Sequence, residues 1–127
     1  MPRPPKRPTA RQQLGALGEA MAAAALERAG YHILSPTGVR TRSGQIDLLA
    51  EEGGDLVFIE VKTRRGTTYG TPAEAVNTTK QQHLITAALE YLATHDQLDH
   101  PWRIDVVAIL LTSAGPEIEI IRHAVEG

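Results

Sequence analysis

Two carboxylates and a lysine stand within an apolar stretch of the chain, GQIDLLAEEGGDLVFIEVK over residues 44–62. The Gly-Gly pair at 53–54 predicts a hairpin between two strands, about Gln45–Ala50 and Leu56–Thr63. Asp47, Glu60 and Lys62 then occupy positions where a half-buried hairpin would normally carry apolar side chains. Apolar packing does not explain these three charges.

The length of the turn determines which residues of the hairpin lie opposite each other. With a two-residue loop, or a four-residue loop over 52–55, Asp47 lies opposite Glu60 and Gln45 lies opposite Lys62. Because side chains alternate between the two faces of a strand, all four share one face. An odd loop length would shift the pairing and remove this arrangement. The other face would be apolar, with Ile46, Leu48, Val57, Ile59 and Val61.

Opposed carboxylates repel each other, and partial burial makes it harder to ionise both. A positive charge between them would relieve the repulsion: Lys62 supplies one charge and a divalent cation supplies two. Mg²⁺ is typically held by one or two carboxylates and keeps water molecules for a phosphate substrate. A lysine beside such an ion could orient an attacking water or stabilise a phosphate oxygen. A structural acid–lysine pair at the end of a sheet is the alternative.

The composition is that of an ordinary globular protein of one-domain size, with 127 residues, 42% of them apolar and 22% charged. The absence of cysteine excludes disulfides, thiolate zinc sites and cysteine nucleophiles, and fits a reducing cytoplasm. No apolar run approaches the roughly 18 residues of a membrane span. Glu19 interrupts the apolar stretch near the N-terminus, so we expect no signal peptide. These features predict a soluble, cytoplasmic protein without membrane association.

Charge is distributed unevenly along the chain. The first 11 residues contain four basic residues and no acid, which leaves nine basic and 15 acidic residues, a net charge of −6, in the remainder. We expect residues 1–9 to form a flexible, basic, proline-rich arm, either simply solvated or in contact with phosphate. Residues 10–127 are expected to form a single domain. The acid excess argues against a generic nucleic-acid-binding surface, although a divalent-metal site would itself concentrate acids.

Periodicity predicts the remaining elements. A helix is expected over about 10–29, with Gly30 at its C-terminal cap, and a second over about 78–94, capped by Thr78 or Thr79. Further strands are expected over 31–34, 102–111 and 117–123, the second of them buried on both faces, with a loop over 66–72. The order α-β-β-β-α-β-β predicts an α/β domain in which helices flank a mixed sheet. The expected apolar faces are Leu14, Leu17, Met21, Ala24 and Ala25 in the first helix, and Leu84, Ala88, Tyr91 and Leu92 in the second.

The hairpin charges also form a recognisable motif. Asp47, followed after twelve residues by Glu60-Val61-Lys62, resembles the D-x(n)-E-x-K core of the PD-(D/E)XK, or restriction-endonuclease-like, nucleases. Over residues 14–110 the chain resembles the YraN-like family of small bacterial proteins. The resemblance implies a restriction-endonuclease-like fold and a metal-dependent, nuclease-type site. The segments that carry it are LGALGEAMAAAALERAGYHIL, RTRSGQIDLLA, VFIEVKTRR, YGTPAEAVNTTKQQHLITAALEYL and RIDVVAI.

The resemblance also implies roles for individual residues. Asp47 and Glu60 would bind Mg²⁺ or Mn²⁺, with the Val61 carbonyl as a third ligand, and Lys62 would be the catalytic lysine. Glu19 matches a helical acid that some relatives place around the metal; a solvent-facing glutamate is the alternative. The helical neighbours of Glu19 are small, so this face could approach the sheet closely and bring Glu19 to the cluster; they are Gly15, Ala16, Ala22 and Ala23.

One position departs from the family pattern, since this chain reads GQIDL where the family usually reads GEIDL. In the predicted register Gln45 lies beside Lys62, where an amide can hydrogen-bond but cannot neutralise charge. We therefore expect weaker activity than in relatives.

Phosphate contacts are expected from basic residues around the hairpin. Arg40 and Arg42 precede it and Arg64 and Arg65 follow it, so the two pairs should cluster at one end of the sheet. Lys80 and Gln81 could add donors at the start of the second helix. The five histidines show no metal-ligand spacing, and Asp105 is expected to pair with Arg103 or another base.

The leading function from these features is metal-dependent hydrolysis of DNA, with branched or damaged forms as candidate substrates. A small nuclease that cuts both strands is often a dimer, so a homodimer is one expectation, although no residues of the sequence indicate an interface. One alternative is a non-catalytic nucleic-acid-binding module that keeps the nuclease fold. The other is a structural or partner-binding protein with a vestigial site.

Overall fold

A computed structural model describes residues 6–66 and 77–125. Residues 1–5 of the predicted arm and residues 67–72 of the predicted loop lie outside these ranges. The helices are α1 (Ala10–Arg28) and α2 (Thr78–Thr94). The strands are β1 (His32–Ser35), β2 (Val39–Thr41), β3 (Gly44–Ile46), β4 (Leu48–Glu52), β5 (Asp55–Arg65), β6 (Trp102–Thr112) and β7 (Gly115–Val125).

A mixed sheet of five strands in the order β1-β4-β5-β6-β7 forms the centre of the domain. Strands β5 and β6 are parallel, and α2 lies between them in sequence, whereas the other neighbours are antiparallel. The α/β class and the order of elements predicted from the sequence are confirmed, and the arrangement is consistent with a restriction-endonuclease-like fold. The structure adds a small sheet of β2 and β3, whose three-residue strands are too short to show a periodicity.

Local hydrogen bonds define both ends of α1. Thr9 accepts from the Gln12 backbone N–H, and the Gln12 side chain accepts from the Thr9 N–H, which is a capping box. At the other end, the Tyr31 N–H donates to the Leu26 carbonyl and the Gly30 N–H to the Glu27 carbonyl. This Schellman motif agrees with the predicted stop at Gly30 and directs Tyr31 into the core.

The buried face of α1 differs from the predicted apolar stripe. Gly18, Ala22 and Leu26 are the buried residues, whereas Leu17 is 47% exposed. The helix thus faces the sheet with its small residues, because close approach of the two backbones requires them. The predicted stripe follows the larger apolar side chains of α1, and it lies on a helix face that is rotated from the buried one.

The second helix matches its predicted bounds but not its predicted cap. Asn77, rather than Thr78 or Thr79, is the N-cap, and its side-chain oxygen accepts from the Lys80 N–H at 2.9 Å. Its buried face is Leu84, Ala87, Ala88 and Leu92. Neither described helix is long and apolar enough to cross a membrane.

Each face of the sheet carries its own apolar core. On the α2 face, the rings of Tyr91 and Trp102 meet Phe58 edge to face at centroid distances of 5.6 and 5.9 Å. On the α1 face, Leu26 packs with Val57 and other side chains of the sheet. Because both faces of β5 and β6 are covered, these strands read as nearly continuous apolar runs.

A buried charge network interrupts the α1-side core at Asp105, which is 0% exposed. Its carboxylate accepts from Tyr31 Oη at 2.6 Å, from Arg103 Nε at 3.0 Å and from the His123 backbone N–H at 3.0 Å. Arg103 also pairs with Glu52 and Asp55 at the β4–β5 turn, at 2.6 and 2.8 Å. Of the basic partners that the sequence left open for Asp105, the structure thus shows Arg103. The network links the β4–β5 turn to the start of β6 and to β7.

Replacing Asp105 with asparagine should destabilise the fold strongly. Asparagine keeps the size of the side chain but removes its charge, which leaves buried Arg103 short of one partner. Removing one partner of a buried ion pair costs about 3–5 kcal/mol. We expect a loss of this order in urea unfolding of Asp105→Asn.

The matched control is Asp99→Asn, which makes the same chemical change at an exposed position. It should change the free energy of unfolding by less than about 0.5 kcal/mol. Equal stabilities of the two variants would show that the network contributes nothing beyond packing.

Candidate functional site

The β4–β5 hairpin has the predicted register. Its two-residue turn is Gly53-Gly54, and the pairing runs from Glu52 opposite Asp55 to Leu48 opposite Ile59. The pairing ends there because the chain bends at Asp47, between β3 and β4.

Gly38 accompanies this bend. It has a φ of +74°, and a Cβ at this position would clash with the carbonyl oxygen of Ile46 and approach that of Asp47 at 2.6 Å. Only glycine lets the segment before β2 lie so close to the backbone at the bend.

The Asp47 carboxylate turns toward β5. Its Oδ2 accepts from the Val61 backbone N–H at 2.9 Å. The N–H and C=O of one strand residue point to the same neighbouring strand, so the Val61 carbonyl also faces the side from which β4 has departed. Because β4 begins only at Leu48, the backbone N–H and C=O of Val61 on β5 have no partner strand there and lie beside the Asp47 side chain.

Glu60 lies next to Asp47 and is only 4% exposed. Its Oε1 is 3.5 Å from Nζ of Lys80, while its Oε2 is buried without a hydrogen-bond partner. Burial, followed by repulsion from Asp47, raises the pKa of Glu60 from 4.5 to about 7, against the opposing effect of Lys80 and Lys62. Glu60 is therefore a buried acid with one unsatisfied oxygen.

Burial also raises the pKa of Asp47. The hydrogen bond from Val61, the charges of Lys80 and Lys62 and a side-chain hydrogen bond with Glu60 lower it, in that order, but do not cancel the effect of burial. Two acids in contact thus share two lysines, and neither acid ionises as readily as it would in water.

Helix α1 contributes Glu19 to this cluster. Gly18 lies against Thr63 of β5, so closely that a Cβ on Gly18 would clash with Thr63 Oγ1. The neighbouring Glu19 is half-buried, and burial and then repulsion from Asp47 raise its pKa. The structure therefore brings Glu19 within electrostatic range of Asp47, as the helical acid of the resemblance required.

The structure contradicts the predicted position of Gln45. This residue pairs with Arg40 in the small β2–β3 sheet and is exposed, instead of lying opposite Lys62. Ile46 likewise packs in the α2-side core, whereas Leu48 packs in the α1-side core. The bend at Asp47 is the cause of both errors, because it turns β3 away from the hairpin.

The arginines do not form the single cluster expected of them. Arg40 and Arg42 line a cavity beside the last turns of α2, whereas Lys80 in the first turn of α2 reaches Glu60. Arg64 and Arg65 lie beyond Glu60, at the far end of β5. The two pairs therefore lie apart, one beside the last turns of α2 and the other at the end of β5.

Lys80 had been expected to contact phosphate, and its ion pair with Glu60 was not anticipated. The sequence offers only its helix position, 20 residues after Glu60. Gln81 lies in the first turn of the same helix and is partly buried.

Within residues 6–66 and 77–125, no group of three or more histidine, aspartate or glutamate side chains is arranged to hold a metal ion.

Comparison with known proteins places this cluster within a family. A model of "Uncharacterised protein family UPF0102" matches residues 18–109, which include all the acids and lysines described above. The chain belongs to the UPF0102 family. The family-level part of the sequence resemblance is therefore confirmed.

UPF0102 relatives are similar to the chain over most of its length. A UPF0102 protein of Syntrophus aciditrophicus is 45% identical over 120 residues, covering 94% of each chain. One from Symbiobacterium thermophilum is 50% identical over 98 residues, covering 77% of this chain and 82% of the relative. One from Rhodococcus opacus is 47% identical over 112 residues, covering 87% and 94%.

Gly18→Ala tests the contact that positions Glu19. The added methyl group should push α1 away from Thr63 and destabilise the fold by about 1–3 kcal/mol. Thr63→Ala removes the clashing Oγ1, so the double variant should recover much of this loss. Urea unfolding of the three variants measures the coupling.

Gly15→Ala is the control within the same helix. A Cβ there meets nothing within 4 Å, so its better helix propensity should stabilise the fold by up to about 1 kcal/mol. Destabilisation of similar size at both glycines would contradict the contact as the cause.

Glu60 should make stability depend on pH in the metal-free protein. Because the folded state binds its proton more tightly than the unfolded chain, this stabilisation is complete below about pH 4.5 and is lost as the pH rises through about 7. Glu60→Gln stays neutral, so it should gain stability over wild type between about pH 5 and pH 8. The gain should be on the order of 3 kcal/mol, since one pKa unit corresponds to about 1.4 kcal/mol.

Urea unfolding across this pH range, with a chelator present, measures the difference. The control is Glu27→Gln, which removes a carboxylate from an exposed position of α1. A constant difference between Glu60→Gln and wild type over the whole range would contradict the predicted coupling.

Proposed function

We propose that this UPF0102 protein is a metal-dependent nuclease of the PD-(D/E)XK type that hydrolyses phosphodiester bonds in DNA. The observation that carries the proposal is the adjacent acid pair Asp47 and Glu60, with the buried Glu60 Oε2 left without a hydrogen-bond partner. A buried carboxylate oxygen normally has a partner. A cation between the two acids would satisfy this oxygen and relieve their repulsion.

The residues at the site fit Mg²⁺ or Mn²⁺. Both ions prefer oxygen ligands, and Mg²⁺ is usually held by one or two carboxylates rather than by a full protein cage. Asp47 and Glu60 would bind the ion, and the Val61 carbonyl faces the same side of β5. Such an ion would supply Lewis-acid stabilisation of the charge on phosphate oxygens.

The side chains around the pair have complementary roles in this proposal. The Val61 N–H fixes Asp47 Oδ2 in place. Lys62 is half-buried, and its charge lowers the pKa of both acids. In this proposal its ammonium would orient an attacking water or stabilise a phosphate oxygen. Glu19 adds negative charge on the α1 side of Asp47.

Binding of the phosphate backbone would use the groups around the first turn of α2. The N-terminus of a helix favours anions, and Lys80 and Gln81 lie in that turn. Arg64 and Arg65 extend the basic surface along the end of β5. Arginine's planar fork suits phosphate oxygens.

The Lys80–Glu60 ion pair favours a second candidate function, a non-catalytic nucleic-acid-binding module. A lysine 3.5 Å from Glu60 already supplies part of the positive charge that a metal would bring. In that case the acids would hold Lys80 in place, and the fold would bind nucleic acid without cleaving it.

Metal binding separates these functions. We expect Mg²⁺ or Mn²⁺ to raise the melting temperature of wild type by several degrees, because a ligand that binds only the folded state stabilises it by about 2.7 kcal/mol at 100 times its Kd. Asp47→Ala should lose this response, and Asp99→Ala should keep it. Equal responses of wild type and Asp47→Ala would exclude the metal site.

Cleavage is tested on linear, flapped and four-way DNA with wild type and Lys62→Ala. Removing a group that stabilises charge in the transition state lowers the rate by about 10²–10³-fold, and we expect a loss of this order. If neither protein cleaves while both bind the DNA, the non-catalytic function is the correct one. Equal cleavage by both proteins would contradict the catalytic role of Lys62.

A further inference from the structure

We propose that the open cavity between the β2–β3 hairpin and the last turns of α2 is a subsite for one unpaired nucleotide of the nucleic acid. This inference rests on the proposed function only in taking nucleic acid as the ligand. The cavity measures about 470 Å³, which is within the range of pockets that hold small ligands. Its lining includes Arg40, Arg42, Glu90, Tyr91, Thr94 and His95.

The cavity combines an aromatic platform with two cations. Tyr91 and His95 are stacked, with ring centroids 4.0 Å apart and an angle of 24° between the planes. Tyr91 also makes an edge contact with Phe58 in the core, and His95 is exposed. A further ring can therefore extend this stack on the outer side of His95.

Hydrogen bonds hold the platform and the hairpin together. A ring nitrogen of His95, Nδ1, lies 2.8 Å from the Tyr91 carbonyl oxygen, which orients the imidazole. Glu90 accepts from the Ser43 N–H at 3.0 Å and from the Ser43 hydroxyl. These bonds to Ser43 lower the pKa of Glu90 and use its charge to anchor the hairpin to α2. The cavity is thus built before a ligand arrives.

This combination fits a nucleotide better than a free phosphate or a purely apolar ligand. Bases of single strands stack on aromatic side chains, and their phosphates lie along cationic grooves. Arg40 and Arg42 would contact the phosphate, while the base would stack on His95. Because the bases of an intact duplex are already stacked on each other, the subsite would accept an unpaired one.

The cavity is connected to the acid cluster through β3. Arg40 pairs with Gln45, which stands two residues before Asp47. At about 3.3 Å per residue along a strand and about 5 Å between strands, the Arg40 backbone lies roughly 10 Å from that of Asp47. A strand bound at the cavity could therefore reach the acid pair within a few nucleotides, which fits a substrate with a single-stranded portion.

Fluorescence anisotropy with a labelled oligothymidylate of roughly ten nucleotides tests the subsite. The titrations are done in EDTA, so that neither metal binding nor cleavage contributes. His95→Ala should weaken binding by about 5- to 100-fold, the loss of one stacking interaction. His95→Phe, which keeps a ring, should retain most of the affinity. Arg42→Ala should weaken binding and reduce its salt dependence by about one ion.

Two controls make the same chemical changes away from the cavity. Arg28→Ala removes a cation from the end of α1, on the opposite face of the sheet, and His32→Ala removes an exposed imidazole from β1. Both should bind the oligonucleotide like wild type. A fully paired duplex should bind wild type and His95→Ala equally.

Equal oligonucleotide affinity of His95→Ala and wild type would overturn the subsite, as would an equal loss on single-stranded and duplex DNA. The proposed subsite and the proposed nuclease activity can be contradicted independently of each other. If Asp47→Ala shows that there is no metal site but His95→Ala still loses oligonucleotide binding, the subsite stands in a non-catalytic protein. If cleavage depends on metal and Lys62 while His95→Ala binds normally, only the subsite is wrong.

Discussion

The burial of two carboxylates side by side is the constraint around which this end of the molecule is built. Asp47 and Glu60 both have pKa values above the ordinary range, with burial as the main cause. Two lysines compensate in part, one from the same strand and one from α2. The bend before β4 gives Asp47 access to the β5 backbone, and the close contact of α1 with β5 adds a third acid. None of these features would be needed if apolar side chains stood in place of Asp47 and Glu60.

Asp105 is another buried acid of the fold, and its comparison with Glu60 is informative. Asp105 is more deeply buried than Glu60, but both its oxygens accept hydrogen bonds from named donors. Its network joins the start of β6 to the β4–β5 turn and to β7, and it leaves nothing for a ligand to satisfy. Glu60 has one oxygen without a partner. The difference in hydrogen bonding, more than the difference in burial, separates an acid with a structural role from one suited to a ligand.

Local signals in the sequence predicted much of this arrangement. The bounds of both helices and the register of the hairpin follow from periodicity and from a Gly-Gly turn, and these act over a few residues. The bend at Asp47 depends instead on Gly38, which packs against the backbone of Ile46 and Asp47. This contact between separate segments of the chain leaves no periodic pattern in the sequence. The error at Gln45 and the separation of the arginine pairs follow from that bend. For α1 the small residues next to Glu19 indicate the close contact with the sheet, whereas the apolar stripe selects the wrong face, because small residues at a close contact carry little apolar signal.

The order of assembly of the acid cluster follows from its connectivity. Asp47 and Glu60 lie on either side of a tight turn, so their strands can pair by a local hairpin, whereas Lys80 arrives only when α2 docks and β6 adds in parallel. Local hairpins form faster than long-range parallel pairs. While α2 is undocked the acids remain hydrated, and the cost of removing that water falls on the docking step. Solution conditions that change the ionisation of the pair should therefore act on the rate of this late step and leave the early hairpin unaffected.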